Sequence, residues 1–158
     1  MGVHLTLLGT GTSQGVPVIA CDCRVCTSTD PRDNRTRSSA LFEVDGEHAP
    51  EGPRTFVVDT GPDFRQQMLR SKVTTLDAVL FTHEHKDHVA GLDDIRAFNF
   101  RQKRDMDVYA VPRVQEALRR EFKYVFDPHP YPGIPKVQLH DLGTGPVTIG
   151  GVEVCLLY

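Results

Sequence analysis

The period of apolar and polar positions changes repeatedly along this chain, and each change predicts an element. Residues 3–9 alternate (Val-His-Leu-Thr-Leu-Leu-Gly), the mark of a half-buried first strand. A loop of small and hydroxyl residues, Thr10 to Pro17, follows it. Ser39–Val44 and Arg54–Asp59 predict two more strands, joined through Asp45-Gly46, a hairpin signal, and a tip over residues 47–53. Residues 63–71 have helical spacing, with Phe64 and Met68 inward and Leu69 a further candidate. Residues 77–82 carry an unbroken apolar run, Ala78 to Phe81, which predicts a central strand buried on both faces. Gly91 to Phe100 returns to helical spacing at Leu92, Ile95 and Phe98 or Asn99. Residues 107–111 form a strand, and Pro112 opens an amphipathic helix with Val114, Ala117, Leu118 and Phe122 inward. Residues 126–135 hold four prolines and a glycine, an irregular loop that carries His129. Strands over 136–142, 146–149 and 152–157 complete the pattern, the last two joined at Gly150-Gly151, with Cys155 as a small buried apolar residue. The result is a mixed α+β or α/β chain, β-rich at both ends, with no internal repeat.

The chemistry concentrates just after the central apolar run. His83, His85, Asp87 and His88 form an H-x-H-x-D-H motif, which places three imidazoles and a carboxylate within six residues. Divalent metals such as zinc and manganese take this donor mixture. In an extended segment His83, His85 and Asp87 face one side, while His88 breaks the alternation and starts a turn or helix. One segment then offers donors to a pair of metals, the device that activates water against phosphate esters, amides and lactones.

Three of the four cysteines, Cys21, Cys23 and Cys26, form a second cluster. Neighbours so close in sequence are poor disulfide partners, so the trio reads either as a metal site short of one ligand or as a loop of thiols. Asp59 stands at the end of an apolar strand. It is either a functional carboxylate at a sheet edge or a cap for the helix after Pro62. The Thr10–Pro17 loop either brings backbone close to an anion or is simply a turn. Residues 27–37, with Arg32, Arg35 and Arg37, read as a solvated face.

Length and charge narrow the picture. A chain of 158 residues makes one domain. Its formal net charge of −3 gives no global basic field, which makes nucleic acid an unlikely partner. No apolar run spans a bilayer and the first residues do not form a secretory signal, so the default location is the cytoplasm.

These residues together resemble the metallo-β-lactamase superfamily of metal-dependent hydrolases. The likeness rests on the H-x-H-x-D-H motif with its preceding strand and following Gly91-Leu92, and on Val57-Val58-Asp59-Thr60-Gly61. The opening Leu8-Gly9-Thr10-Gly11-Thr12-Ser13-Gln14-Gly15-Val16-Pro17, with the cysteine trio after it, is similar to the PhnP-type phosphodiesterases, which cleave phosphoribosyl 1,2-cyclic phosphate. More loosely it resembles tRNase Z.

The resemblance implies an αββα sandwich of mixed sheets with outer helices. It implies His83 and His85 on one metal, Zn or Mn, and Asp87 and His88 on a second, so that Asp87 belongs to the catalytic centre. Asp59 would orient ligands from behind. The cysteines would hold a structural zinc completed by a later histidine. Further active-site ligands of the family lie past the position of Tyr158. Residues 1–158 are therefore expected to be the N-terminal portion of a single domain, folding poorly alone or associating, for example as a homodimer.

The activity implied is hydrolysis of a small cyclic phosphate or nucleotide-like phosphodiester by metal-activated hydroxide. Thr12, Ser13 and Arg96 are candidate phosphate contacts, and Arg96 is equally a candidate for a surface salt bridge. The alternatives are tRNA 3′ processing, thioester or lactone hydrolysis, or a non-catalytic metal-binding module.

Overall fold

The first six strands assemble in chain order into one mixed sheet, in a computed structural model that describes residues 2–155. They are β1 (Val3–Gly9), β2 (Ser39–Val44), β3 (Arg54–Val58), β4 (Ala78–Leu80), β5 (Met106–Ala110) and β6 (Val137–Asp141). β1, β2 and β3 pair antiparallel, whereas β3 to β6 pair in parallel. Parallel neighbours need crossovers. Here these are α1 (Phe64–Arg70), then α2 (Lys86–Val89) with α3 (Arg96–Gln102), then α4 (Pro112–Glu121).

All four helices pack on one face. Leu41, Val57, Val79 and Val108 point there, against Phe64, Leu92, Ile95 and Leu118 of the helical layer. The alternate residues Phe56, Ala78 and Leu80 point the other way. They meet Leu142, Ile149 and Val152, the last two from a second sheet of β7 (Val147–Ile149) and β8 (Val152–Val154). Arg54 ties the two sheets together, its Nε donating to the Gly150 carbonyl at 2.7 Å. Helices, mixed sheet and second sheet thus stack in the expected layered order. β4 is wholly buried because it lies between parallel neighbours and under both layers.

Several local expectations change. Leu69 is 61% exposed, and Gln67 takes the inward position at 1%. Gln67 can be buried because its amide donates to the Arg37 carbonyl at 2.9 Å and to Thr36 Oγ1 at 3.2 Å. Asp45-Gly46 does not make a tight hairpin: Gly46, at φ 67°, opens a short 3-10 turn over Gly46–His48. The helix expected over 91–100 begins as a 3-10 segment, Leu92–Ile95, and becomes α-helical only at Arg96. Cys155 is exposed rather than buried, lying just past β8; residues 156 and 157 of the last expected strand lie outside the described residues. Val3, Leu5 and Leu7 are 59%, 51% and 63% exposed, an apolar stripe along the edge strand β1. No helix among the described residues is long and apolar enough to cross a membrane.

Candidate metal centre

The candidate ligands gather where β3 and β4 end side by side, with Val58 opposite Leu80. Asp59 follows β3 in a left-handed conformation, φ 63°, which Asp tolerates better than most residues. Its amide still bonds the Leu80 carbonyl at 2.9 Å, while the buried carboxylate faces the chain leaving β4. That carboxylate accepts from the Thr82 amide at 2.9 Å and from the Thr82 hydroxyl at 2.7 Å, and it lies 2.7 Å from His88 Nδ1. No cap is formed by Asp59; the residue at the start of α1 is Asp63.

The hydrogen-bond directions fix two tautomers. An ionised carboxylate only accepts, so His88 Nδ1 carries the proton. The Thr82 hydroxyl gives its single proton to Asp59 and must accept from its other neighbour, His83 Nδ1, at 3.0 Å. Asp59 therefore sets His88 directly and His83 through Thr82. In each ring Nε2 is thus the nitrogen left to bind a metal. Burial first, then the charges of His88 and His85, hold the pKa of His83 below the ordinary 6.5, which favours the neutral ring.

The extended alternation stops at His85, which caps α2 rather than continuing the strand. Asp87 consequently sits in the first turn of α2, not on the face shared by His83 and His85. His88 follows it in the helix as expected. The His83 ring lies 4.7 Å from that of His85, edge-on, and 3.9 Å from that of His88, centre to centre. His88 Nε2 and an Asp87 oxygen are 3.3 Å apart.

The residues between the candidate ligands are engaged elsewhere. Glu84 pairs with Arg113 of α4 at 3.2 Å. Lys86 pairs with Glu121 and lies 5.7 Å above the Phe122 ring. The histidine loop is thus clipped to α4 from behind. Two glycines let the backbones meet at the front. A Cβ on Gly61 would stand 2.1 Å from the Asp87 carbonyl oxygen, and one on Gly91 would stand 2.2 Å from that of Gly61. Thr82, Gly61 and Gly91 were not singled out by function in the sequence. A hydroxyl at the strand's end, directly before the first histidine, is the signal that marks Thr82.

The cysteines form a separate cluster in the loop after β1. Their sulfur atoms all lie within 4.8 Å of one another, and no other set of three donor residues among those described converges so closely. The Val18 amide donates to Cys26 Sγ at 3.3 Å. Backbone contact at Cys26 and then the Cys21 thiol lower the Cys23 pKa to about 7. The Val18 amide acts to lower Cys26, but Cys21 and burial outweigh it and Cys26 is raised. A thiolate is the metal ligand, so Cys23 is the readiest donor.

Of the candidate phosphate contacts, Thr12 and Ser13 are exposed in the β1 loop, where the Ser13 carbonyl accepts from Arg37 Nε at 2.9 Å. Arg96 is exposed on α3, where its charge acts on the Tyr124 phenol; it makes no ion pair among the described residues. His129 is exposed in its loop, and His140 is held by Asp107 at 2.6 Å on β6.

Layer order, sheet order and the position of the histidine loop define a metallo-β-lactamase fold. A family profile for the Beta-lactamase superfamily domain matches residues 54–156, and the chain belongs to that superfamily. It is 49% identical over 133 residues to an octanoyltransferase of Porphyromonas gingivalis, a match covering 84% of this chain and 25% of that protein. It is 31% identical over 125 residues to coenzyme PQQ synthesis protein B of Methylorubrum populi, covering 71% of this chain and 38% of that protein. Among solved structures, a diphosphatase from the PhnP family superposes with a TM-score of 0.82 at 37% identity, covering 97% of this chain and 55% of the other. Zinc-bound PqqB from Methylobacterium extorquens shares the fold, with a TM-score of 0.63 at 23% identity over 90% of this chain and 47% of the other. The chain therefore spans about half the length of these solved proteins and less of the curated relatives.

Proposed function

We propose that the protein containing this chain is a metal-dependent phosphoric diester hydrolase acting on a small cyclic or nucleotide-like phosphodiester. The observation that carries the reading is the Asp59–Thr82–His83 and Asp59–His88 hydrogen-bond set, which leaves Nε2 of each ring as the metal-binding atom, that of His88 3.3 Å from an Asp87 oxygen. Likeness to a PhnP-family diphosphatase at 37% identity directs the chemistry toward phosphorus.

The donors present fit a pair of divalent ions, zinc or manganese: three imidazoles with one carboxylate, two of the imidazoles fixed from behind. His83 and His85 would hold one ion, and Asp87 and His88 the other. When bound, such a pair supplies a nucleophilic water at neutral pH and offsets phosphate charge. Within the chain, Asp59 holds both Nδ1 protons in place, Thr82 transmits that hold to His83, and Gly61 lets α2 approach so that Asp87 joins the set. Cys21, Cys23 and Cys26 would hold a structural zinc in a separate place.

The test is turnover of bis(p-nitrophenyl) phosphate against a thioester and a lactone by the full-length metal-loaded protein. Phosphodiester cleavage that disappears in His85→Ala is the expected result. Turnover of the thioester or lactone alone would overturn the reading.

A further inference from the structure

Two adjoining clefts of about 440 and 320 Å³ lie between the β1 loop, the 31–37 segment and α1, and share Asn34, Arg35, Thr36 and Arg70. Three arginines line this groove against a single acid, Asp63, in a chain whose formal net charge is −3. Asp63 is already engaged, both of its oxygens taking Arg37 Nη1 at 3.0 Å. Arg35 and Arg70 have no carboxylate partner among the described residues. Arg70 donates to the Leu8 carbonyl, which uses one of a guanidinium's five N–H groups.

An arginine on a convex surface is ordinarily just solvated. These two differ in lining a concave groove and in being carried on fixed backbone. The Arg35 amide and carbonyl both pair with Val16, at 2.8 Å each, so its side chain leaves a rigid bridge rather than a free loop. The uncharged rim adds the amides of Gln14, Asn34 and Gln66. The groove also adjoins the histidine site. The Arg37 Cβ lies 4.0 Å from where a Cβ on Gly61 would stand, and Gly61 itself abuts Asp87.

We propose that this groove is a binding site for a phosphate group, its oxygens taken by the forked N–H donors of Arg35 and Arg70. Two sources share that chemistry. One is a second phosphate carried by the substrate, which rests on the phosphodiesterase reading; the other is free inorganic phosphate.

Inorganic phosphate is titrated into the metal-free protein while the arginine Nε–Hε resonances are followed by NMR. Saturable shifts at Arg35 and Arg70 are expected. In Arg35→Gln the affinity falls about tenfold, as for one lost charged hydrogen bond, with the backbone amide spectrum unchanged. Arg35→Lys restores part of the affinity, since it keeps the charge but not the fork. Absence of a saturable shift at either guanidinium, or wild-type affinity in Arg35→Gln, overturns the proposal.

Kinetics of the metal-loaded protein separate the two sources. A substrate-borne phosphate makes Arg35→Gln raise KM about tenfold more for a diester carrying a second phosphate than for bis(p-nitrophenyl) phosphate. A free anion moves the two KM values in parallel. If neither diester turns over, the phosphodiesterase reading fails while the phosphate titration still decides the groove.

Discussion

The histidine cluster and the cysteine cluster meet one demand, the gathering of candidate metal donors, by different means, and only the cysteine donors all lie within 4.8 Å of one another. The cysteines achieve it locally: three residues close in sequence fold back through a short loop, with the Val18 amide as the nearest support. The histidines achieve it through the tertiary structure. Asp59 comes from one strand end, Thr82 and His83 from the next, His88 from a helix, and the α4 pairs with Glu84 and Lys86 hold the loop from behind. Removing a support should therefore disturb the histidine site from a distance. The cysteine site should respond only to changes in its own residues.

The largest effect should come from Gly61→Ala. Its Cβ would stand 2.1 Å from the Asp87 carbonyl oxygen, backbone that cannot swing aside. Overpacking of this kind costs on the order of 3 kcal/mol, to be read by denaturant unfolding. Cys23→Ser in the metal-free protein should stay within about 0.5 kcal/mol of wild type, because an exposed side chain is exchanged. Equal losses in the two variants would erase the proposed difference between the clusters.

Thr82→Val is next. It removes one of the two donors to an Asp59 oxygen that keeps His88 Nδ1, and it frees His83 Nδ1, so a loss of about 1 kcal/mol in stability is expected, together with weaker metal binding at the histidines. Thr82→Ser should recover most of both.

Acid separates the clusters by charge. His83 is held below the ordinary value of 6.5 by burial and by His88 and His85. The unfolded chain thus binds a proton there that the folded protein does not. This contribution leaves stability intact above pH 6.5 and erodes it as pH falls below 6.5 toward the folded pKa. An NMR titration of the His83 ring in the metal-free protein should give a midpoint under 6.5, and a midpoint above it would contradict the assigned cause. Over the same range the cysteine cluster should become less reactive. Alkylation of Cys23 should be half-maximal near pH 7 and that of Cys26 only above the ordinary thiol value of 9.0.

The smallest effect belongs to Arg113→Gln. Its pair with Glu84 joins a 72% exposed guanidinium to the ligand loop, and such pairs contribute up to about 1 kcal/mol. A tenfold loss of metal affinity in this variant would mean that the clip to α4 matters more than Asp59.

The same contrast explains what the sequence made legible. Local signals were readable: the alternation of β1, the apolar run of β4, the Pro112 helix start, the cysteine spacing and the H-x-H-x-D-H motif. Features that depend on contact between distant segments were not. Leu69 fits an inward helical position as well as Gln67 does until the Arg37 carbonyl arrives to bond the amide. Asp87 continues the strand alternation until His85 caps α2. Asp59 had two readings, capping or orienting, and only the approach of Thr82 and His88 separates them. Cys155 sits in an apolar run, yet it is exposed just past β8.

The most direct measurement is calorimetric titration of zinc into wild type and Asp59→Asn, with bound metal assigned to each cluster from the histidine and cysteine NMR signals. An amide at residue 59 keeps the size but removes the charge that fixes His88 Nδ1–H and, through Thr82, His83 Nδ1–H. Affinity at the histidines should fall by about 10–100-fold while binding at Cys21, Cys23 and Cys26 stays as in wild type. Wild-type affinity at the histidines in Asp59→Asn, or an equal loss at both clusters, would contradict the role given to Asp59.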